Sequence, residues 1–165
     1  MSAVRLSFVL GADWSSRLIA WYGQGVGGWS HVDAVLPSGE LLGARSDTIK
    51  GVAPGVQIRP PGYEKWKRRA IVEVPVTPAQ ATEWERWLRK QVGRQYDNGA
   101  IWSFIIGGKD HEPGHWICSA CQFEGFEHIG LLQRALVEPS QVTPDALFFA
   151  VTTGLKGRVV HSIRC

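Results

Sequence analysis

From Trp29 the sequence period becomes two through Leu36, Pro37-Ser38-Gly39 interrupts it, and Glu40 to Arg45 returns as a second extended stretch. Alternation of that kind is a strand signal and the interruption is a turn signal, so the stretch is constrained to fold back on itself as a β-hairpin. Val32, Ala34 and Leu36 share one face of its first strand. Trp29, His31, Asp33 and Val35 share the other, which places an imidazole and a carboxylate on one face about 7 Å apart along the strand. A sheet with a polar patch on one strand is the frame into which the other segments must fit.

Those segments supply both strands and helices. Val4, Leu6, Phe8 and Leu10 alternate as a strand, and Asp13 caps a short helix from Ser15 to Tyr22 that the following glycines end. Glycines and prolines at 51, 54, 55, 60, 61 and 62 predict a long surface loop over 46–63, with a short extended piece at Val56 to Arg59. Arg69 to Val76 is a strong β-run. Thr77-Pro78-Ala79-Gln80 then combines an N-cap, a proline at the first helical position and a capping-box glutamine. That helix is expected to run to Val92 with Ala81, Trp84, Leu88 and Val92 as its buried stripe and Gly93 as its left-handed C-cap. Further helices are expected over Asn98 to Ile106 and Cys118 to His128, the second closed by Gly130, with a breaker-rich loop over 107–114. A short helix opens at Thr143-Pro144, and Arg158 to Ile163 alternates as a closing strand. This order predicts an α+β fold with a mostly antiparallel sheet and helices packed on one side.

Size and charge narrow the function classes. The 165 residues, 44% of them hydrophobic, suit one core, so the expectation is a single domain over 1–165. A net charge of +3 generates no strong field, and the one basic cluster, Lys65, Lys67, Arg68 and Arg69, reads as a solvated strand end rather than a nucleic-acid surface. No nucleic-acid partner is expected. No apolar run approaches the ~20 residues of a membrane span, and the first ten residues lack the parts of a signal peptide, so synthesis in the cytoplasm is the expectation. The three cysteines, 118, 121 and 165, are too few and too odd in number for a secreted disulfide framework.

Cys118 follows a Pro-Gly loop and opens a predicted helix, where free amides and the positive dipole end favour a thiolate and would also receive an oxyanion. A buried structural cysteine is the competing reading. A thiol nucleophile needs a base, and an imidazole has the suitable pKa. His31 is the better candidate among five histidines, because the pleat fixes its direction and Asp33 shares its face. His111 and His115 fall in a loop, His128 at a helix end and His161 in the last strand; each reads as an ordinary histidine.

Three segments resemble the circularly permuted members of the NlpC/P60 papain-like superfamily, the YiiX/YebB-like cysteine hydrolases. Trp29-Ser30-His31-Val32-Asp33-Ala34-Val35 is similar to the family's Ser-His-Val strand. Gly93-Arg94-Gln95-Tyr96-Asp97 resembles its Gly-x-x-Tyr-Asp segment, and Trp116-Ile117-Cys118-Ser119 its aromatic-x-Cys-Ser motif. The order, base before nucleophile, is the permuted one. The resemblance implies a permuted papain-like fold and a cysteine amidase or peptidase working through a thioacyl intermediate at Cys118, with His31 as base and no metal or organic cofactor. It implies a peptide, peptidoglycan-fragment or lipid-linked acyl substrate, in a bacterial or phage setting, and places Tyr96 near the site. Two departures stand out. Ala120 takes a position where many relatives have Glu, and the second hairpin strand, often the source of a third polar residue, reads Leu41-Leu42-Gly43-Ala44. The third role is therefore assigned to Asp33, with Glu40 in reserve.

Three other readings compete. His111, His115, Cys118 and Cys121 form a four-ligand zinc spacing, although Pro113-Gly114 keeps the two histidines off a common helix face. Cys118-Ser119-Ala120-Cys121 has the spacing of a thiol-redox motif. A degenerate binding domain is the third, with Trp14, Trp21, Trp29, Trp102 and Trp116 among eight tryptophans that would serve sugar or acyl binding or simply fill the core.

Overall fold

The computed structural model describes residues 2–11, 28–48, 51–63, 65–96, 117–133 and 142–164. The helices expected over Ser15–Tyr22 and Asn98–Ile106, the loop over 107–114, and Trp116 and Asp97 of the family-like segments lie outside the described residues. The strands are β1 (Ser2–Gly11), β2 (His31–Val35), β3 (Leu41–Arg45), β4 (Gly55–Arg59), β5 (Trp66–Val76) and β6 (Arg158–Arg164). They form one sheet in the order β4-β3-β2-β1-β5-β6, and every pairing is antiparallel. The helices are α1 (Pro78–Gln91), α2 (Cys118–His128) and α3 (Pro144–Phe149), the last running into a π-helical turn at Ala150–Gly154. This is a mixed α+β architecture built on a six-stranded antiparallel sheet. Among the described residues no helix is long and apolar enough to cross a membrane.

Strand alternation decides where the core sits. Val4, Leu6 and Phe8 of β1, Val32 and Ala34 of β2, Leu42 and Ala44 of β3, and Ala70, Val72 and Val74 of β5 line one face and are all buried. Trp84 and Leu88 of α1 and Phe126 of α2 join the same cluster, with the Trp84 and Phe126 rings stacked at 5.7 Å. Each fully buried side chain of this size contributes about 1.5–3 kcal/mol, so this layer dominates the stability of the sheet.

Local signals set the helix ends. Thr77 Oγ1 accepts from the Gln80 amide at 3.2 Å while Gln80 Oε1 accepts from the Thr77 amide at 3.0 Å, a complete capping box ahead of Pro78. Gly93 takes a φ of +89° just past the helix, where a side chain would be strained. The expected stripe fails at its last member. Val92 is 43% exposed and Gln91 is buried instead, because the helix ends at Gln91 and Val92 has already left helical backbone geometry.

The loop expected over 46–63 is corrected more substantially. Gly55–Arg59 is a full sheet strand paired with β3 from Leu41–Arg59 to Arg45–Gly55, and Val56, Gln57 and Arg59 are buried. The amide of Val56 donates to the Arg94 carbonyl and the Gly93 amide to the Val56 carbonyl, both at 2.9 Å. The chain leaving α1 thus covers this edge strand, which a lone exposed extended piece would not need. The basic cluster is also less solvated than expected. Arg68 lies over the Trp29 ring at 4.2 Å, and Arg69 Nε donates to Ser7 Oγ at 2.9 Å.

Candidate functional site

Strand β2 is aimed by its anchors. The Ser30 hydroxyl donates to the Val9 carbonyl at 3.2 Å and accepts from the Gly11 amide at 3.0 Å, and the Trp29 amide donates to Asp145 Oδ1 at 3.1 Å. His31 then stands opposite Val9, and Asp33 opposite Ser7. On its other side β2 ladders with β3 through Ala34–Leu42 and Val35–Leu41, so the His31–Asp33 half lies beyond that ladder. Helix α2 enters there. Gln122 Nε2 donates to the Leu42 carbonyl at 3.0 Å, tying the helix to β3, and the Ser119 hydroxyl donates to the Val142 carbonyl. Cys118 is the first residue of α2, buried to 6% exposure, and its thiol interacts with His31 and with the Val32 backbone.

The imidazole is held from its far side. His31 Nε2 lies 3.0 Å from Asp33 Oδ1 and 3.2 Å from the Tyr63 hydroxyl. Asp33 has leaned along the strand to make this contact, and its other bonds fix it there. Oδ1 also accepts from Arg59 Nη2 at 2.9 Å, and Oδ2 accepts from the Tyr63 hydroxyl at 2.7 Å. Arg59 Nη2 donates in addition to the Gly43 carbonyl at 2.9 Å. The Tyr63 ring is flanked by two guanidinium groups, Arg59 at 4.8 Å and Arg45 at 5.3 Å. Arg45 is itself paired with Asp47.

These contacts sort the protons. Burial acts against a charged imidazole, but Asp33 and then Cys118 more than offset it, and the His31 pKa is pushed up to about 10. Burial also acts against a thiolate, and His31 outweighs it, so the Cys118 pKa falls below its ordinary value. The Asp33 carboxyl is resisted by burial and held far below the usual carboxylate range by His31 and Arg59. These directions favour an imidazolium between a thiolate and a carboxylate, with Arg59 as second cation. Cys121, one helical turn on, differs. Burial first, then Glu124 and Cys118, push its thiol well up, so it stays protonated.

Of the residues singled out in the sequence, His31, Asp33 and Cys118 come together. Glu40 does not; it sits in the hairpin turn with its Oε2 accepting from Ser38 Oγ at 2.8 Å. Tyr96 packs partly buried against the core. His128 pairs with Glu83 at 2.6 Å and stacks on Trp87, and His161 is on the exposed strand β6. His111 and His115 lie outside the described residues. Arg59 and Tyr63 are new members of the site. Arg59 carried one signal, a basic residue closing an extended piece in step with Gln57; Tyr63, beyond Pro60-Pro61-Gly62, carried none.

No protein-family profile and no curated protein matches the chain. Among solved structures it is similar to the metalloprotein YiiX from Escherichia coli O157:H7, DUF1105, at a TM-score of 0.54 and 14% identity, covering 78% of this chain and 67% of that one. At that identity the likeness concerns backbone architecture, and the chain has a YiiX-like α+β fold.

Proposed function

We propose that this protein is a cysteine hydrolase, an amidase or peptidase on a single permuted papain-like domain of the NlpC/P60 kind, with Cys118 as nucleophile, His31 as base and Asp33 as the residue that orients it. The observation that carries the reading is the buried chain of contacts from the Cys118 sulfur through the His31 ring to the Asp33 carboxylate.

The chemistry follows from that chain. The thiolate attacks a substrate carbonyl, forming the carbon–sulfur bond, and free amides at the start of α2 receive the developing oxyanion. As the intermediate collapses, the imidazolium gives its proton to the leaving amine or alkoxide, and the acyl group remains on sulfur as a thioester. His31, now neutral, takes a proton from water, whose oxygen attacks the thioester; the acid departs and the thiolate–imidazolium pair is restored. Asp33 keeps the ring oriented and stabilises its charge throughout. Peptides, peptidoglycan fragments and acyl lipids remain the candidate substrates, and the resemblance favours a bacterial or phage protein.

The metal attached to the name of YiiX does not suit these residues. Arg59 places a cation 2.9 Å from Asp33, the one carboxylate bonded to the pair among the described residues, and the Cys121 thiol is held protonated. The same protonated Cys121 weakens the thiol-redox reading. The test of the hydrolase is intact-protein mass spectrometry after mixing with p-nitrophenyl acetate. One acetyl group on Cys118 that turns over with time, absent from Cys118→Ser and from His31→Gln, supports it; no adduct on Cys118 overturns it.

A further inference from the structure

Gly43 stands opposite the site on β3, and it is an odd place for a glycine. Its φ is not in the left-handed region, so the backbone there would accept any L-residue. It lies in mid-strand, where glycine weakens a sheet and marks a close approach. The approaching atom is identified: a Cβ built on Gly43 would overlap Asp33 Oδ1, the oxygen that contacts both His31 Nε2 and Arg59 Nη2, and would also meet the Val32 carbonyl at 3.2 Å. The Gly43 carbonyl meanwhile accepts from the same Arg59 nitrogen.

We infer that Gly43 is a positioning residue, whose missing side chain is the seat of the Asp33 carboxylate, so that the acidic oxygen behind His31 comes from β2 only because β3 leaves its place empty. Arg59 holds both halves of this arrangement, bonding Asp33 with one nitrogen and the Gly43 carbonyl with the same one. Its Nε and Nη1 are buried with no hydrogen-bond partner among the described residues, so Nη2 is the nitrogen that bridges the two strands. Seat and occupant are coupled: filling the first expels the second. An aspartate at 43 would carry its own carboxylate into the position that Asp33 Oδ1 now holds, provided Asp33 is gone. The Val32 carbonyl needs to give by only a few tenths of an ångström.

This inference rests on the thiolate–imidazolium reading of Cys118 and His31, and its test separates the two. The measurement is the pH profile of Cys118 alkylation by iodoacetamide, site-resolved by peptide mass spectrometry. The wild type is expected to show a midpoint below that of an ordinary thiol, about 8.5. Asp33 repels the thiolate directly but holds the imidazolium that stabilises it, and the second effect is expected to dominate, so Gly43→Ala should raise the midpoint by about one unit or more, as Asp33→Ala does, and the double variant Asp33→Ala/Gly43→Asp should return it at least halfway. A purely structural glycine would not be rescued by a larger, charged residue at its own position, and the double variant decides the matter even if Gly43→Ala fails to fold. A wild-type midpoint at the ordinary value overturns the ion-pair reading and this inference with it. A low wild-type midpoint that Gly43→Ala leaves unmoved, or that the double variant fails to restore from the Asp33→Ala value, overturns this inference alone.

Discussion

Asp33→Asn is the sharpest perturbation of this site because it removes one charge and almost no volume. Asp33 and Arg59 are each only 2% exposed on their side chains, and Asp33 also balances the His31 imidazolium. In the wild type the four groups His31, Cys118, Asp33 and Arg59 sum to zero. An asparagine leaves one positive charge in excess, which a proton passed from the imidazolium to the thiolate cannot change and Arg59 cannot shed. The variant should therefore hold a Cys118–His31 couple of zero net charge beside a buried, uncompensated guanidinium. Removing one partner of a buried pair costs about 3–5 kcal/mol, against a total stability of about 5–15 kcal/mol. The fold should survive. With a slope of about 2 kcal/mol per molar urea, the unfolding midpoint should fall by about 1.5–2.5 M. Urea titration by tryptophan fluorescence reads this directly, and acetylation of Cys118 should slow about tenfold or more in the same variant. A midpoint lowered by less than about 0.3 M would refute the claim that Asp33 compensates two buried cations.

Other consequences can be measured without a substrate. For the ion pair, a raised His31 pKa contributes stability present below about pH 6.5 and lost as pH climbs through about 10, while a lowered Cys118 pKa contributes stability present above about pH 8.5 and lost as pH falls through its folded value. Together they predict stability falling between about pH 8.5 and 10, where the thiolate contribution is complete and the imidazolium is being lost; His31→Gln should remove that alkaline fall, and a wild-type curve that keeps rising to pH 10 would contradict it. Tyr63→Phe deletes the hydroxyl on Asp33 Oδ2 but keeps the ring between Arg45 and Arg59, so a loss of about 1 kcal/mol is expected; an effect as large as that of Asp33→Asn would make Tyr63, rather than Arg59, the main support of the carboxylate. In native protein at pH 7, iodoacetamide should label Cys118 well before Cys121, whose thiol is fully buried and held protonated. Equal rates at the two positions would count against an activated Cys118.

The sequence by itself determined whatever depends on neighbours along the chain. Period-two alternation placed β2 and put His31 and Asp33 on one face, the Pro37-Ser38-Gly39 turn placed β3 after it, the capping box set the first residue of α1, and the Pro-Gly boundary placed Cys118 at the head of α2. Those signals are local, and local geometry enforces them. Val92 marks the limit even there, since the 3.6-residue period says nothing of where the helix stops. What the tertiary structure decided are the contacts between residues far apart in sequence. Residues 55–59 became a buried strand because β3 on one side and Arg94 on the other satisfied its backbone. Arg59 and Tyr63 joined the site because β4 brings them beside Asp33, and a buried arginine is tolerable only where such a carboxylate awaits it. Asp33 rather than Glu40 lies beside His31 for a reason no motif encodes: the turn holds Glu40 away, while a glycine on the neighbouring strand leaves one oxygen's worth of room behind His31.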